Sequence, residues 1–429
     1  MDSPHHFVSR ALSGACLVLS LLIGTSQSVA QTTQKDSLRL NGFGTVGMSV
    51  TDAPGSLQFR RDMSNLPDER SPTLKNDSRL GLQLHYDANP YLELVSQLVF
   101  KHDTPAVDKP ADALAWLFAA YRPSSDITIR VGRTNADIFL LSDYRDVGFA
   151  YPWVRPNVEV YSALPLYSLA GIDVAKTWDQ GDARWKLKGF VGQTQAYGTI
   201  GRGPDDVFNF KLDKAWGALI SREQDGLLLR ATLARAKTTT TASDVTNAAL
   251  SLLHSLQSLP YPDVVAEASQ LENAFGIKSY MAMFGEVGFS YDRDDWLLSG
   301  EYTVAEAKSG TRASRSAYVS AGRRLGDFTL FAMTGWQASK LGIIQAPNWQ
   351  ALGPDVQMLG QTSANSINGS RVKQRSLSLG MRWEFHPQIA LKFQVDRFWV
   401  ESVGSGLWVG SEQQQAHPFV ATTALDFVF

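Results

Sequence analysis

Arg184, Lys186 and Lys188 are spaced two apart. On an extended strand that spacing puts three cations on one face. Such a row could attract anions such as phosphate or carboxylates, or could simply be solvated charge on a wet surface. Gly42-Phe43-Gly44-Thr45-Val46-Gly47 matches G-x-G-x-x-G. A dinucleotide site needs those glycines to end a strand and open a helix. Here apolar-polar alternation runs on to Val50 and no helical pattern follows, so no nucleotide and no other cofactor is expected. Beyond residue 30 the histidines are His85, His102, His254, His386 and His417, and none sits in a recognisable nucleophile motif. Catalysis by a base beside Ser or a carboxylate therefore finds no support. The single cysteine, Cys16, lies near the start of the chain.

These residues need elements to position them. Arg10 precedes an apolar run from Ala11 to Ile23, and Ser28-Val29-Ala30 offers small residues before Gln31. That is the layout of a cleaved signal peptide, residues 1–30. Its removal takes Asp2, Arg10 and Cys16, so residues 31–429 keep the net charge of −2 and have no thiol. No basic excess points to nucleic acid.

Further on, no stretch reaches the roughly 18 apolar residues of a membrane-spanning helix. Alternation with period two recurs instead. Leu80, Leu82, Leu84 and Tyr86 oppose Arg79, Gln83 and His85; Leu92, Leu94, Leu98 and Phe100 oppose Glu93, Gln97 and Lys101. Each such segment has one apolar and one polar face. About sixteen such segments occur, each near the roughly 9–11 residues that cross a bilayer when tilted. Short turns rich in Asp, Gly and Pro alternate with long connections such as 52–76, 134–167, 238–275 and 340–373. Aromatics flank the short turns: Tyr86 and Tyr91, Trp178 and Trp185, Tyr291 and Trp296, Trp383 and Phe385. Apolar-out, polar-in strands with short turns on one side and an aromatic girdle describe a transmembrane β-barrel. About sixteen strands give a barrel wide enough for water.

This layout resembles the Gram-negative outer-membrane porins across nearly the whole of residues 31–429. Local pieces add to it: the early strand from Leu38 through Gly44, the run Ile129-Arg130-Val131-Gly132-Arg133, and the alternating end Phe419–Phe429. The resemblance implies an all-β antiparallel barrel with an inward-folded constriction loop at 134–167. It implies an eyelet in which Arg39, Arg79, Arg130 and Arg133 face Asp143 and Asp146, or else pair locally to hold the loop. The loop also carries Asp137, Arg145, Arg155 and Glu159, with Phe149, Tyr151, Pro152, Trp153 and Pro156, a composition that suggests rigidity. The resemblance further implies a homotrimer, contact with outer-membrane lipid and lipopolysaccharide, and handling by the barrel-assembly machinery. Gly42 and Gly44 would then permit close approach of a neighbouring subunit.

The expected function is a water-filled channel for passive diffusion of small hydrophilic solutes and ions, with a lean toward anions. The alternative is a channel selective for anionic solutes such as phosphate or carboxylates; an outer-membrane enzyme is a remote third. Lys214 and Arg397 fall on the lipid face by strict alternation, which calls for a bulge, snorkelling or a subunit contact. The connection 238–275 has helical spacing over 245–259 and 264–271.

Overall fold

The computed structural model describes residues 37–54, 57–65, 71–101, 113–162, 164, 166–199, 207–241, 243–275, 279–307, 313–405, 407–409 and 415–429. The candidate signal segment 1–30, with Cys16, and His102 lie outside these residues.

Sixteen strands close into one antiparallel barrel. They are β1 (Leu38–Thr51), β2 (Arg79–Asn89), β3 (Leu92–Lys101), β4 (Leu114–Tyr121), β5 (Ile127–Asn135) and β6 (Ser168–Gln180). Then come β7 (Ala183–Thr199), β8 (Val207–Gln224), β9 (Leu227–Thr241), β10 (Tyr280–Arg293) and β11 (Trp296–Ala307). The wall ends with β12 (Ser314–Leu325), β13 (Phe328–Ser339), β14 (Val372–His386), β15 (Ile389–Ser405) and β16 (Phe419–Val428). Each strand pairs with its sequence neighbours, as hairpins require, and β16 returns to β1. The expected strands are all present; several run further into the long-loop side than the alternation suggested, with β9 reaching Thr241.

The pleat decides what faces where. On β13, Leu330 and Trp336 are exposed while Thr329, Met333 and Gln337 are buried. On β15, Phe393 and Val395 point out while Lys392, Gln394 and Asp396 are buried. An apolar exterior with every strand edge paired suits hydrocarbon, which cannot satisfy open backbone groups. On the short-turn side, Trp178 stacks on Trp185 at 6.2 Å and Phe328 on Trp383 at 5.7 Å. Amphipathic rings at that level form the expected girdle.

The seam between β1 and β16 explains the glycine motif differently from the expectation. Gly42 and Phe429 exchange backbone bonds of 2.8 and 3.0 Å. A Cβ on Gly42 would lie 2.1 Å from the Phe429 ring, and one on Gly44 would lie 2.3 Å from the Phe427 ring. The chain's own last strand therefore occupies the space that a neighbouring subunit was expected to use.

The two misplaced cations have separate causes. Lys214 has φ of 50°, and the register of β8 shifts there against both neighbours. A bulge inserts one residue and restores the pleat beyond it. Arg397 keeps regular register opposite Leu377 and lies over the Phe419 ring at 4.1 Å. Its charge is thus carried on an aromatic face near the long-loop end.

Above the long-loop rim, α1 (Asp244–Leu256), α2 (Pro262–Phe275) and α3 (Pro354–Gly369) share an apolar cluster built on Leu253, Leu271 and Trp349. Ser243 caps α1 by accepting from the Thr246 N–H. The first two helices match the expected spacing; the third was not expected. A short ladder pairs Gln58–Phe59 with Trp408–Val409, and Phe59, Phe398 and Trp408 pack beneath it.

Candidate channel and its inward loop

Residues 136–162, with 164, 166 and 167, follow β5 and bond to side chains that point inward from strands on all sides of the barrel. The loop enters on an apolar run. Phe139, Leu140 and Leu141 pack with Tyr161 against Phe190, Phe331 and Met333 of the wall. The Phe139 ring lies 5.0 Å from Tyr161 and 5.3 Å from Phe284. A four-residue helix, Val158–Tyr161, is capped by Asn157 and touches the Phe59–Trp408 cluster through Val158.

Charged ties fix the rest. Asp137 accepts from Lys188 on β7 at 2.9 Å and from Arg230 on β9 at 2.8 Å. Asp146 pairs with Lys101 on β3 at 2.7 Å. Arg155 bonds Asp77 at 2.6 Å, Asp396 on β15 at 2.7 Å and Thr422 on β16 at 2.6 Å. Lys392 on β15 donates to the Gly148 and Trp153 carbonyls at 2.6 and 2.7 Å and pairs with Asp426 at 2.7 Å. Arg382 on β14 donates to the Phe149 and Tyr151 carbonyls. Trp153 donates its indole N–H to Ser320 on β12 at 2.8 Å. Glu301 on β11 accepts from the Leu140 N–H at 2.8 Å and from the Tyr161 hydroxyl. Glu159 accepts from Gln374 and Ser376 of β14. Gly148 passes so close to Asp426 and Thr45 that a Cβ would lie 2.1 Å from the carboxylate.

Electrostatics follows from these partners. Burial raises the Asp146 carboxyl, but Lys101, Arg145 and Arg61 outweigh it and hold it down to about 2. Asp77 and Asp137 are also buried, and Arg155 for the first and Arg230 with Lys188 for the second pull them below the ordinary carboxylate range. Glu159 has no cation beside it; burial pushes it up despite its bonds to Gln374 and Ser376. Burial, with Glu301 and Asp143 nearby, pushes the Tyr144 phenol up to about 12. Of these four carboxylates, Asp77, Asp137 and Asp146 fall beside their cations and Glu159 rises with burial, as neighbouring charge and desolvation dictate.

The residues singled out from sequence are thus partly brought together. Arg79 reaches the loop, donating to the Asp146 carbonyl at 2.6 Å and the Tyr151 hydroxyl at 2.9 Å. It touches the backbone of Asp146, whose carboxylate belongs to Lys101. Arg130 bonds Asp173 on the adjacent strand at 2.9 Å and Asn135 at 3.0 Å. Asn135 in turn donates to Asp143 at 2.6 Å. Arg39 lies on the short-turn side, 3.4 Å from Glu93, which also takes His85 and Arg122. It does not face Asp143 or Asp146. Arg133 pairs across the ladder with Leu117, which is exposed on the outer wall, and donates to Ser168 at 2.9 Å. It lies three positions beyond Arg130, an odd offset, so the pleat sends it to the opposite face. In the basic row, Arg184 meets Asp179 in the open, Lys186 is half-buried, and Lys188 is buried between Asp137 and Asp173. Of the two arrangements that the resemblance implied, Arg79 takes the local one, tied to the loop by a carbonyl and a hydroxyl, and Arg39 takes neither.

Lys101, Arg230, Arg382, Lys392 and Asp426 were missed. Each is an inward residue of a strand already recognised, so the pleat supplied the face but nothing in sequence supplied the loop partner.

No protein-family profile matches the sequence, and neither does any curated protein. Solved structures do resemble the fold. OmpF of Salmonella typhi, in a complex with daunomycin, superimposes with a TM-score of 0.52 at 12% identity, covering 91% of this chain and 97% of that one. The chain has the general-porin fold. OmpT of Vibrio cholerae, folded in vitro, gives a TM-score of 0.49 at 11% identity over 93% and 100% of the two chains. A Rh. blastica porin variant gives 0.42 at 14% over 91% and 100%. A closed porin-type wall with an apolar exterior places the protein in the outer membrane.

Proposed function

We propose that this barrel is a porin through which small hydrophilic solutes and ions diffuse passively, down their gradients and without chemistry. The observation that carries the reading is the wall itself: apolar outside, polar inside, and crossed by a loop tied to strands all round. Selectivity in such a channel comes from the charges lining its narrowest part. Here Lys101, Arg130, Lys188, Arg230 and Lys392 each meet a carboxylate, so the channel is weakly ion-selective rather than strongly anion-selective. Lys188, taken up by Asp137 and Asp173, removes the innermost charge of the row that favoured a phosphate or carboxylate channel.

The reading includes a cleaved segment 1–30, a barrel of residues 31–429 and a homotrimer in lipid and lipopolysaccharide, delivered by barrel-assembly machinery. Planar-bilayer recording tests it. Purified, refolded protein is expected to give small, uniform conductance steps with a reversal potential near zero in a salt gradient. A folded sample without steps would overturn the reading. Migration on denaturing gels before and after heating tests the trimer, and the N-terminal sequence of protein from outer membranes tests the cleavage.

A further inference from the structure

One stretch of the inner wall departs from the polar pattern. Ala215, Ala234, Ala236, Ala282, Ala305 and Ala307 lie on β8 to β11 toward the long-loop side and line a cavity of about 110 Å³. One level nearer the short turns, the same strands carry Leu219, Thr232, Glu286 and Thr303, which are buried and fill their space. The alanines leave that space empty. The β8 bulge at Lys214 stands beside it, shifting register between Arg235 and Lys237 of β9.

Larger apolar groups enclose the opening. Phe190, Phe210 and Phe284 come from the wall, and Ile138, Leu164 and Leu166 come from the inward loop. The loop side is held in place by Asp137, adjacent to Ile138 and fixed by Lys188 and Arg230. The charged residues beside the cavity, Arg235 and Glu306, are solvent-exposed, and by strand alternation point away from it. A buried water needs about two to four polar partners, and an apolar cavity of about 150 Å³ is dry enough to take benzene. Thr194, Thr238 and Tyr280 are the polar side chains at this lining; Thr238 and Tyr280 face each other across the β9–β10 ladder, Thr194 stands beyond Leu212 in the same row, and the rest of the lining is chiefly apolar.

We propose that this chamber is a binding site for one neutral, apolar, single-ring molecule, held between the inward loop and the alanine-lined wall. Its volume matches a single ring better than a fused multi-ring compound, and among the described lining residues the charged ones point away, which disfavours ions. It would give an otherwise polar channel a resting place for small hydrophobic solutes. The proposal stands apart from the diffusion reading, because binding is measured without current.

Fluorobenzene is the probe, observed by fluorine NMR with the full barrel in lipid nanodiscs and empty nanodiscs as the lipid-partition control. Wild type is expected to add a saturable bound component, displaced by toluene. Ala236→Phe and, separately, Ala305→Leu fill the space and should weaken that component by at least about tenfold. Leu233→Phe, on the lipid face of the same strand, should leave it unchanged. Heat-shifted gel migration identifies the folded variants, and either filling variant suffices. A wild-type signal no larger than that of empty nanodiscs, or equal saturable binding in a folded filling variant, overturns the proposal.

Discussion

The inward loop is held by different physics on its two sides. Toward β14–β16 and β2 it is charge: Arg155 between Asp77 and Asp396, and Lys392 beneath two loop carbonyls. Toward β7–β11 it is chiefly apolar contact around Phe139 and Tyr161, with the Asp137 triad at its edge and empty space above. Buried charge demands exact partners, because desolvated ions are costly unless paired. Apolar contact is non-directional and tolerates a gap. One side therefore sets the loop's position, and the other leaves room.

The largest break comes from Arg155→Ala. It strands two buried carboxylates, and loss of one partner from a buried pair costs about 3–5 kcal/mol. The expected outcome is a lower melting temperature together with higher, noisier single-channel conductance. Phe139→Ala probes the opposite side, at about 3 kcal/mol for a large ring removed from a packed cluster. It should lower the melting temperature with a smaller rise in conductance, because the charged ties still hold.

Acid loosens the charged ties without mutation. Asp77, Asp137 and Asp146 sit below their ordinary range, so the docked loop binds fewer protons than the released one. Their stabilisation is complete above about pH 4 and fades as pH falls through their folded values, about 2 for Asp146. Glu159, raised by burial, acts in the other sense: its contribution is full below the ordinary carboxylate range and is lost as pH rises through its raised value. Conductance noise should therefore grow as pH drops from about 4 toward 2. Asp146→Asn should show the looser behaviour already at neutral pH. The smallest effect belongs to Arg184→Gln. Its pair with Asp179 is open to water and screened, so stability should hold and only the reversal potential should move slightly.

How much of this was legible can be traced residue by residue. The wall was legible because period two repeats in sixteen segments, and each turn announces itself with Asp, Gly or Pro. Trp178 and Trp185 even marked the membrane side correctly. The position of the loop was legible, but its partners were not. Alternation says that Lys392 faces inward; it cannot say that a loop carbonyl more than two hundred residues earlier waits there. The bulge at Lys214 was legible as one of three readings of a cation on the lipid face, and only the register of the neighbouring strands decides among them. The outer position of Arg133 is legible in its odd spacing from Arg130. The inward alanines read as ordinary strand residues, because smallness signals a cavity only once neighbouring strands are set in register.

The seam of β1 and β16 has a kinetic meaning. Thr45 and Asp426, hydrogen-bonded across it, are 381 residues apart in sequence. Pairings of such separation form late and slowly, because the entropy of the intervening chain must be lost before any contact repays it. Until the Phe427 and Phe429 rings settle over Gly44 and Gly42, the wall is a ribbon with two sticky edges, each able to recruit a foreign strand. The last few side chains thus act as a latch that turns an aggregation-prone sheet into a finished cylinder.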